Sequence, residues 1–196
     1  INNTNQSWGG GNRTTELVPM IYKGAVAYWH LDENGGTSGY ADSSGNGNTG
    51  TPFNMSNATG IIRGAGLFDG ANSTILVKTA PIIANEQNFS VMVWVKTNLR
   101  TNQQVIYDES PVIGGTPEFV IRMNGGIPCG CAGVFFRDSA GTSVTLHATN
   151  KYIADGGWHH VAFTTMNRAD HNLYVDGVLT NSSTTSISTL NNINRA

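Results

Sequence analysis

Charge is scarce in this chain. Asp, Glu, Lys and Arg together make up 12% of its 196 residues, and the net charge is -2. Soluble proteins ordinarily carry about 25% charged residues. There is no basic field to hold nucleic acid or an anionic membrane surface. No apolar run reaches the roughly 20 residues needed to span a bilayer as a helix. No segment combines a helical period with caps. Cysteines number two, both in Cys129-Gly-Cys131. They read as a local disulfide or as two loop thiols. A ring so small removes little unfolded-state entropy, and the pair supplies too few soft ligands for a structural zinc. It lends only slight support to an oxidising compartment. The chain opens on Ile1-Asn-Asn-Thr, neither an initiator Met nor a signal peptide, so a mature or excised fragment is expected.

Signatures of catalysis are missing as well. Glycoside cleavage needs two carboxylates a few ångströms apart across a bond. The nearest candidates, Asp32-Glu33 and Asp108-Glu109, are adjacent residues, which point to opposite faces of a strand. There is no Gly-x-Ser-x-Gly nucleophile elbow. Gly64-x-Gly66 runs into Leu-Phe-Asp-Gly rather than a helix, so it is not a nucleotide loop. The expectation is a protein that is not an enzyme.

Asn, Thr, Ser and Gly supply the polarity instead, a composition suited to tight turns and a neutral hydrated surface. Asn-x-Ser/Thr sites begin at Asn2, Asn5, Asn12, Asn54, Asn57, Asn72, Asn88 and Asn181. In a secreted protein they are glycan acceptors, although a chain this rich in the three residue types also makes them by chance. Asn88 is the poorest, because it leads straight into an apolar strand.

The hydrophobic pattern is that of many short strands. Phe89 to Lys96 alternates most clearly: Phe89, Val91, Val93 and Val95 share one face, and Ser90, Met92, Trp94 and Lys96 the other. Apolar residues on both faces suggest a central strand. Gly24–Leu31 reads as a first core strand, followed by a turn-rich loop to Gly50. Strand regions then recur at 64–70, 74–78, 104–107, 118–122, 133–137, 143–147, 158–165 and 172–175. Asp176-Gly177 signals a type I′ hairpin, whose two central residues need positive φ. Residues 1–20, polar and holding Gly9-Gly-Gly11, read as a flexible arm or linker, and 21–196 as the folded domain. The class is all-β, a sandwich or jelly roll.

Six motifs then appear in order: Tyr28-Trp-His-Leu-Asp-Glu33, Asp42-Ser-Ser-Gly-Asn-Gly-Asn48, Gly66-Leu-Phe-Asp-Gly70, Phe89 to Lys96, Trp158-His-His-Val-Ala162 and Leu173-Tyr-Val-Asp-Gly177. Over about residues 24 to 190 the chain resembles laminin-G-like domains of the concanavalin A-like lectin/glucanase superfamily. That resemblance implies a two-sheet antiparallel jelly-roll sandwich and a non-catalytic module, often appended to secreted enzymes, adhesins and surface proteins. Such domains close with a further strand after the Asp-Gly hairpin, whereas this chain stops at Asn191-Asn-Ile-Asn-Arg-Ala196. Truncation explains this, or else another segment fills the gap, such as the N-terminal arm of a neighbouring subunit.

Asp42-x-Ser44-x-Asn46-Gly47 spaces oxygens as in the first half of a calcium loop. An EF-hand is excluded, since Phe53 stands where the closing Glu belongs. In laminin-G-like domains calcium sits on rim loops, which implies Asp42, Asn46 and Asn48 as ligands, with Asp32 or Asp69 adding charge. The competing reading is that these residues cap turns. His159 and His160 point to opposite faces of a strand, so a buried Trp158 with one packed His is preferred to a metal or catalytic pair. A glycan would need exposed aromatic faces: Tyr40, Tyr107, Phe136 and Tyr152 are candidates and Trp8 lies in the arm, while Trp29, Trp94 and Trp158 read as packing residues.

The expected function is an extracellular or cell-surface recognition module. It binds a glycan or an extracellular protein ligand, possesses no membrane span or nucleic-acid partner, and is calcium-dependent if the Asp42 loop holds the ion. The second expectation is a structural subunit of a surface filament, pilus or coat, a homo-oligomer assembled by strand exchange.

Overall fold

The computed structural model describes residues 24–33, 39–77, 81–111, 115–188 and 190. The proposed arm at 1–20, with Trp8, Asn2, Asn5 and Asn12, lies outside the described residues. So does the chain after Leu190.

Among the described residues twelve strands run in chain order: β1 Gly50–Phe53, β2 Ser56–Thr59, β3 Gly64–Leu67, β4 Thr74–Val77, β5 Phe89–Lys96, β6 Gln104–Glu109, β7 Glu118–Met123, β8 Ala132–Arg137, β9 Ser143–His147, β10 Trp158–Met166, β11 Asp170–Val175 and β12 Val178–Ser183. Two four-stranded antiparallel sheets, in the orders β12-β11-β10-β5 and β6-β7-β8-β9, make the sandwich. Two small ladders, β1-β4 and β2-β3, lie ahead of it in the chain. The described residues contain no helix.

Period-two alternation decides what the sandwich buries. On β5, Phe89, Val91, Val93 and Val95 turn inward, while Ser90, Met92, Trp94 and Lys96 are exposed. The inner faces meet in a continuous core that includes Phe119, Ile121, Phe136, Leu146, Phe163 and Leu173. Phe119 touches Phe89, Phe136 and Phe163 with ring centroids 5.3–5.4 Å apart. Such edge and tilted contacts add to area burial, itself worth about 1.5–3 kcal/mol per large side chain.

His171 is fully buried in that core, stacked on Phe163 at 6.1 Å. One ring nitrogen, Nε2, faces the Thr185 carbonyl at 2.9 Å and the other, Nδ1, faces the Thr165 hydroxyl at 3.0 Å. A carbonyl only accepts, so Nε2 carries the proton and Nδ1 accepts from Thr165. Burial lowers its pKa, which favours this neutral form of the imidazole.

Three expectations need correction. Gly24–Leu31 forms no strand: Trp29 makes one isolated bridge, to Asp42, and Leu31 takes a positive φ of 58°. The segment is instead tied down by side chains of the 42–48 loop. β5 is not central among the described strands, pairing only with β10. Its second apolar face is surface. Phe136 is fully buried, because it alternates with Phe135 on a strand whose inner face builds the core.

Candidate functional site

Strand register lays out the outer face of the β12-β11-β10-β5 sheet in rows. One row is Trp94 and His160, the next Met92, Ala162, Tyr174 and Leu179, the next Ser90, Thr164 and Asn172. Large apolar side chains stand out here: Met92 is 65% exposed, Trp94 52% and Met166 61%. The Trp94 and His160 rings pack at 5.1 Å, tilted by 58°. Ala162 lies between Met92 and Tyr174 and has no side chain beyond Cβ, so the face dips at this point. An aromatic wall stands on one side of the dip and hydroxyl and amide groups on the other. Exposed apolar surface in a continuous patch marks interaction sites.

A cleft of about 1430 Å³ adjoins this face. It wraps β5, reaching Met92, Thr164, Asn172 and Tyr174 outside and Ile83 and Tyr107 towards the core. Glu86, Asp108 and Asp170 are its charged lining residues, with no Lys or Arg among the described ones. Glu109 lies just beyond, fully buried. Its carboxylate accepts from the amides of Ile82 and Ile83, and Tyr107 O–H donates to it at 3.5 Å. Burial raises its pKa against the pull of those donors. The group is occupied in holding the 82–84 turn. Asp108 accepts from Ser110 Oγ at 2.5 Å. The two adjacent carboxylates thus serve different neighbours.

The 42–48 loop is built by its own polar groups. Asp42 Oδ1 accepts from the amides of Tyr28 and Ser44, and Oδ2 from the amide of Asn48, each at 2.9 Å. These bonds hold its pKa below the usual carboxylate value against partial burial. Asn46 Nδ2 donates to the Ala25 and Val26 carbonyls, and Asn48 Nδ2 to Val26 at 2.9 Å. Trp29 Nε1 donates to the Asn48 carbonyl at 2.6 Å. Asp69 accepts from the amides of Ala71, Asn72 and Ser73, which brings its pKa to about 2. Asp32 faces Arg63 at 3.8 Å. Among the described residues no three His, Cys, Asp or Glu side chains gather as a metal group. Asp32, Asp42 and Asp69 thus do not gather into one group, and both Asp42 oxygens accept from backbone amides.

Of the proposed aromatic ligand residues, Tyr40 is fully buried and offers no face to a ligand. Tyr107 packs against the core at the cleft. Tyr152 is 42% exposed, donates to the Ala154 carbonyl at 2.6 Å and has the Arg100 guanidinium 5.2 Å above its ring. The structure does not bring these three together with Trp94. Trp94 itself departs from the packing role that its apolar strand suggested. Its even position on β5 was the available signal, since Phe89 and the three valines take the inner face. Cys129 and Cys131 form a disulfide. Asn54, Asn57 and Asn72 are exposed, whereas Asn181 Nδ2 donates to the His147 carbonyl at 3.0 Å.

These features define a class: a charge-poor antiparallel sandwich with a shaped outer face and no assembled catalytic pair among the described residues. Residues 69–195 match the laminin G-type family model described as the concanavalin A-like lectin/glucanases superfamily, and the chain belongs to that family. The fold is similar to domain 4 of AbnA, a GH43 extracellular arabinanase of Geobacillus stearothermophilus, in a structure that holds arabinotriose. The TM-score is 0.60 at 22% identity, over 87% of this chain and 80% of that one. It is also similar to the binding domain of Paraclostridial Mosquitocidal Protein 1, with a TM-score of 0.60 at 17% identity over 82% of this chain and 41% of that one. The botulinum neurotoxin serotype D binding domain aligns with a TM-score of 0.57 at 16% identity, over 84% of this chain and 42% of that one. This chain thus spans under half the length of the two toxin binding domains. No curated protein matches the sequence.

Proposed function

We propose that this chain is a non-catalytic extracellular recognition module that binds a glycan across the outer face of the β12-β11-β10-β5 sheet. The observation that carries this reading is the dip at Ala162, with Trp94 and His160 on one side and Ser90, Thr164 and Asn172 on the other. A sugar ring has an apolar C–H face and a polar rim. Tryptophan offers the first a large flat partner at small entropic cost, and hydroxyls and amides meet the second. The fold's likeness to domains named for binding supports the class.

A glycan array followed by titration calorimetry tests it. Trp94→Ala should weaken the best array hit by at least about tenfold, as expected of a central aromatic anchor, with no change in melting temperature. Ala162→Phe should fill the dip and do the same. No array hit, or full affinity in both variants, would sink the reading.

A second reading, assembly by strand exchange, draws on β5, which has a partner on only one side among the described residues. Such an edge accepts an added strand. Light scattering decides here: a monomer at all concentrations removes it, and ordered polymers would favour it over glycan recognition.

A further inference from the structure

His159 stands between two carboxylates. Its Nδ1 faces Asp176 Oδ2 at 2.9 Å and its Nε2 faces Asp155 Oδ1 at 3.1 Å. A carboxylate only accepts, and a neutral imidazole has one N–H. Both contacts are hydrogen bonds only when the ring is the doubly protonated imidazolium. The ring is largely enclosed, with a side chain 13% exposed.

The three residues come from separate parts of the chain. Asp155 lies on the loop between β9 and β10, His159 on β10, and Asp176 on the turn between β11 and β12. Lys151, from the same loop as Asp155, adds its Nζ to Asp176 Oδ2 at 3.3 Å. The β5 neighbour of His159 is the uncharged Val95, and Lys96 lies beside Trp158 one residue away. Among the described residues the charged groups that face the ring are therefore Asp155 and Asp176, with Lys151 paired to Asp176. Asp155 is otherwise held by the Gly157 amide at 2.7 Å. Asp176 also accepts from the His160 amide at 3.0 Å, and its own amide donates to the His160 carbonyl at 2.8 Å. The His160 ring in turn rests on Trp94.

We propose that His159 is a pH-operated latch that clamps the β9–β10 loop and the β11–β12 turn together and so steadies the His160–Trp94 wall of the outer face. Loss of one proton leaves a single donor for two carboxylates. One of them must then face a ring lone pair, and that contact opens. Asp155, exposed and without a cation beside it other than the ring, is the one released, because Asp176 keeps Lys151 and the His160 amide. The flanking carboxylates raise the pKa of His159 against the opposing effect of its burial, so the clamp persists above the pH at which a free imidazole discharges. That the steadied surface is a ligand site rests on the glycan reading; the latch itself does not.

The test is an imidazole NMR titration of the intact chain from pH 5 to 9, with hydrogen exchange of the His160 amide and the Trp94 indole resonance followed in parallel. His159 should titrate above 6.5, and Asp155→Asn, at an exposed position that leaves the turn untouched, should bring it down. The His160 exchange rate and the Trp94 resonance should move with the same midpoint, and His159→Gln should remove that transition. A His159 midpoint at or below 6.5, or one unmoved by Asp155→Asn, overturns the latch. A normal His159 titration with His160 and Trp94 unresponsive overturns the coupling to the outer face. None of these outcomes depends on a sugar, so failure of the glycan array leaves the latch standing and failure of the latch leaves the array result standing.

Discussion

Asp42 illustrates how one side chain can scaffold a whole loop. Three backbone amides, from Tyr28, Ser44 and Asn48, converge on its two oxygens. Through the first of these it holds a segment 14 residues upstream that forms no strand among the described residues. Removing a charged acceptor strands those donors, at a cost of about 1–3 kcal/mol when they are shielded from water. Asp42→Ala should lower the melting temperature in urea and heat denaturation. Chelator should leave the wild-type melting temperature unchanged, because three backbone amides already hold the Asp42 carboxylate in place without an ion. A chelator-induced drop would return the loop to the metal reading. Trp94 is the opposite case: its side chain is exposed rather than packed, so its substitution should register in binding and not in folding.

At the scale of elements, the β11–β12 hairpin shows what turn chemistry enforces. Asp176 and Gly177 have φ of 51° and 78°, the left-handed pair of a two-residue turn. Nothing lies within 4 Å of where a Cβ on Gly177 would stand, so the cost of Gly177→Ala is conformational alone. It should destabilise the chain by about 1–2 kcal/mol, seen as a lower urea midpoint with an unchanged slope.

Asp138 plays a comparable part between β8 and β9. Oδ1 accepts from the Ala140 and Thr142 amides inside the turn, and Oδ2 from the Ser188 amide and hydroxyl 50 residues on. The local half was legible as turn composition. The distant half was not, since nothing in Ser188 itself marks it as a partner. The positions of β3, β4 and β5 to β11 were likewise legible, because alternation and Gly/Asn punctuation are local. β12 was missed: Val178–Ser183 is polar and only partly buried, and it becomes a strand by pairing with β11. Gly24–Leu31 failed in the other direction, apolar enough for a strand but without one to pair with among the described residues.

For the whole molecule the two differently placed histidines oppose each other. His159 has a raised pKa, so its contribution is complete below the ordinary imidazole value of 6.5 and is lost as pH climbs through the folded value. His171, buried and neutral, has a lowered one, so its contribution is complete above 6.5 and is lost as pH falls towards the folded value. By linkage, stability from this pair peaks near pH 6.5 and declines on both sides. Urea midpoints from pH 5 to 8.5 should trace that dome, and His159→Gln should flatten its alkaline limb alone. An alkaline limb as steep in the variant would assign it to other groups. The core itself depends on the phenylalanine cluster. Phe119, which touches three other phenylalanines across the two sheets, should cost about 3–5 kcal/mol on truncation to Ala, measured by equilibrium unfolding.

Local order in the amino acids determined the class of this protein. Period-two alternation and turn residues between short apolar runs point to an antiparallel sandwich, because strand formation and turn geometry depend on near neighbours, and the six ordered motifs add the resemblance to the laminin G type. Contacts made across the fold decided the rest. Trp94 is an exposed wall, and not core, because β5 gives its inner face to Phe89 and the three valines. Asp42 is a turn anchor because Tyr28 is brought back to it. His159 meets Asp155 and Asp176 only once β10 and β11 are in register and the loop before them has closed. Charge, exposure and protonation are properties of those meetings, and no single segment of the chain contains them.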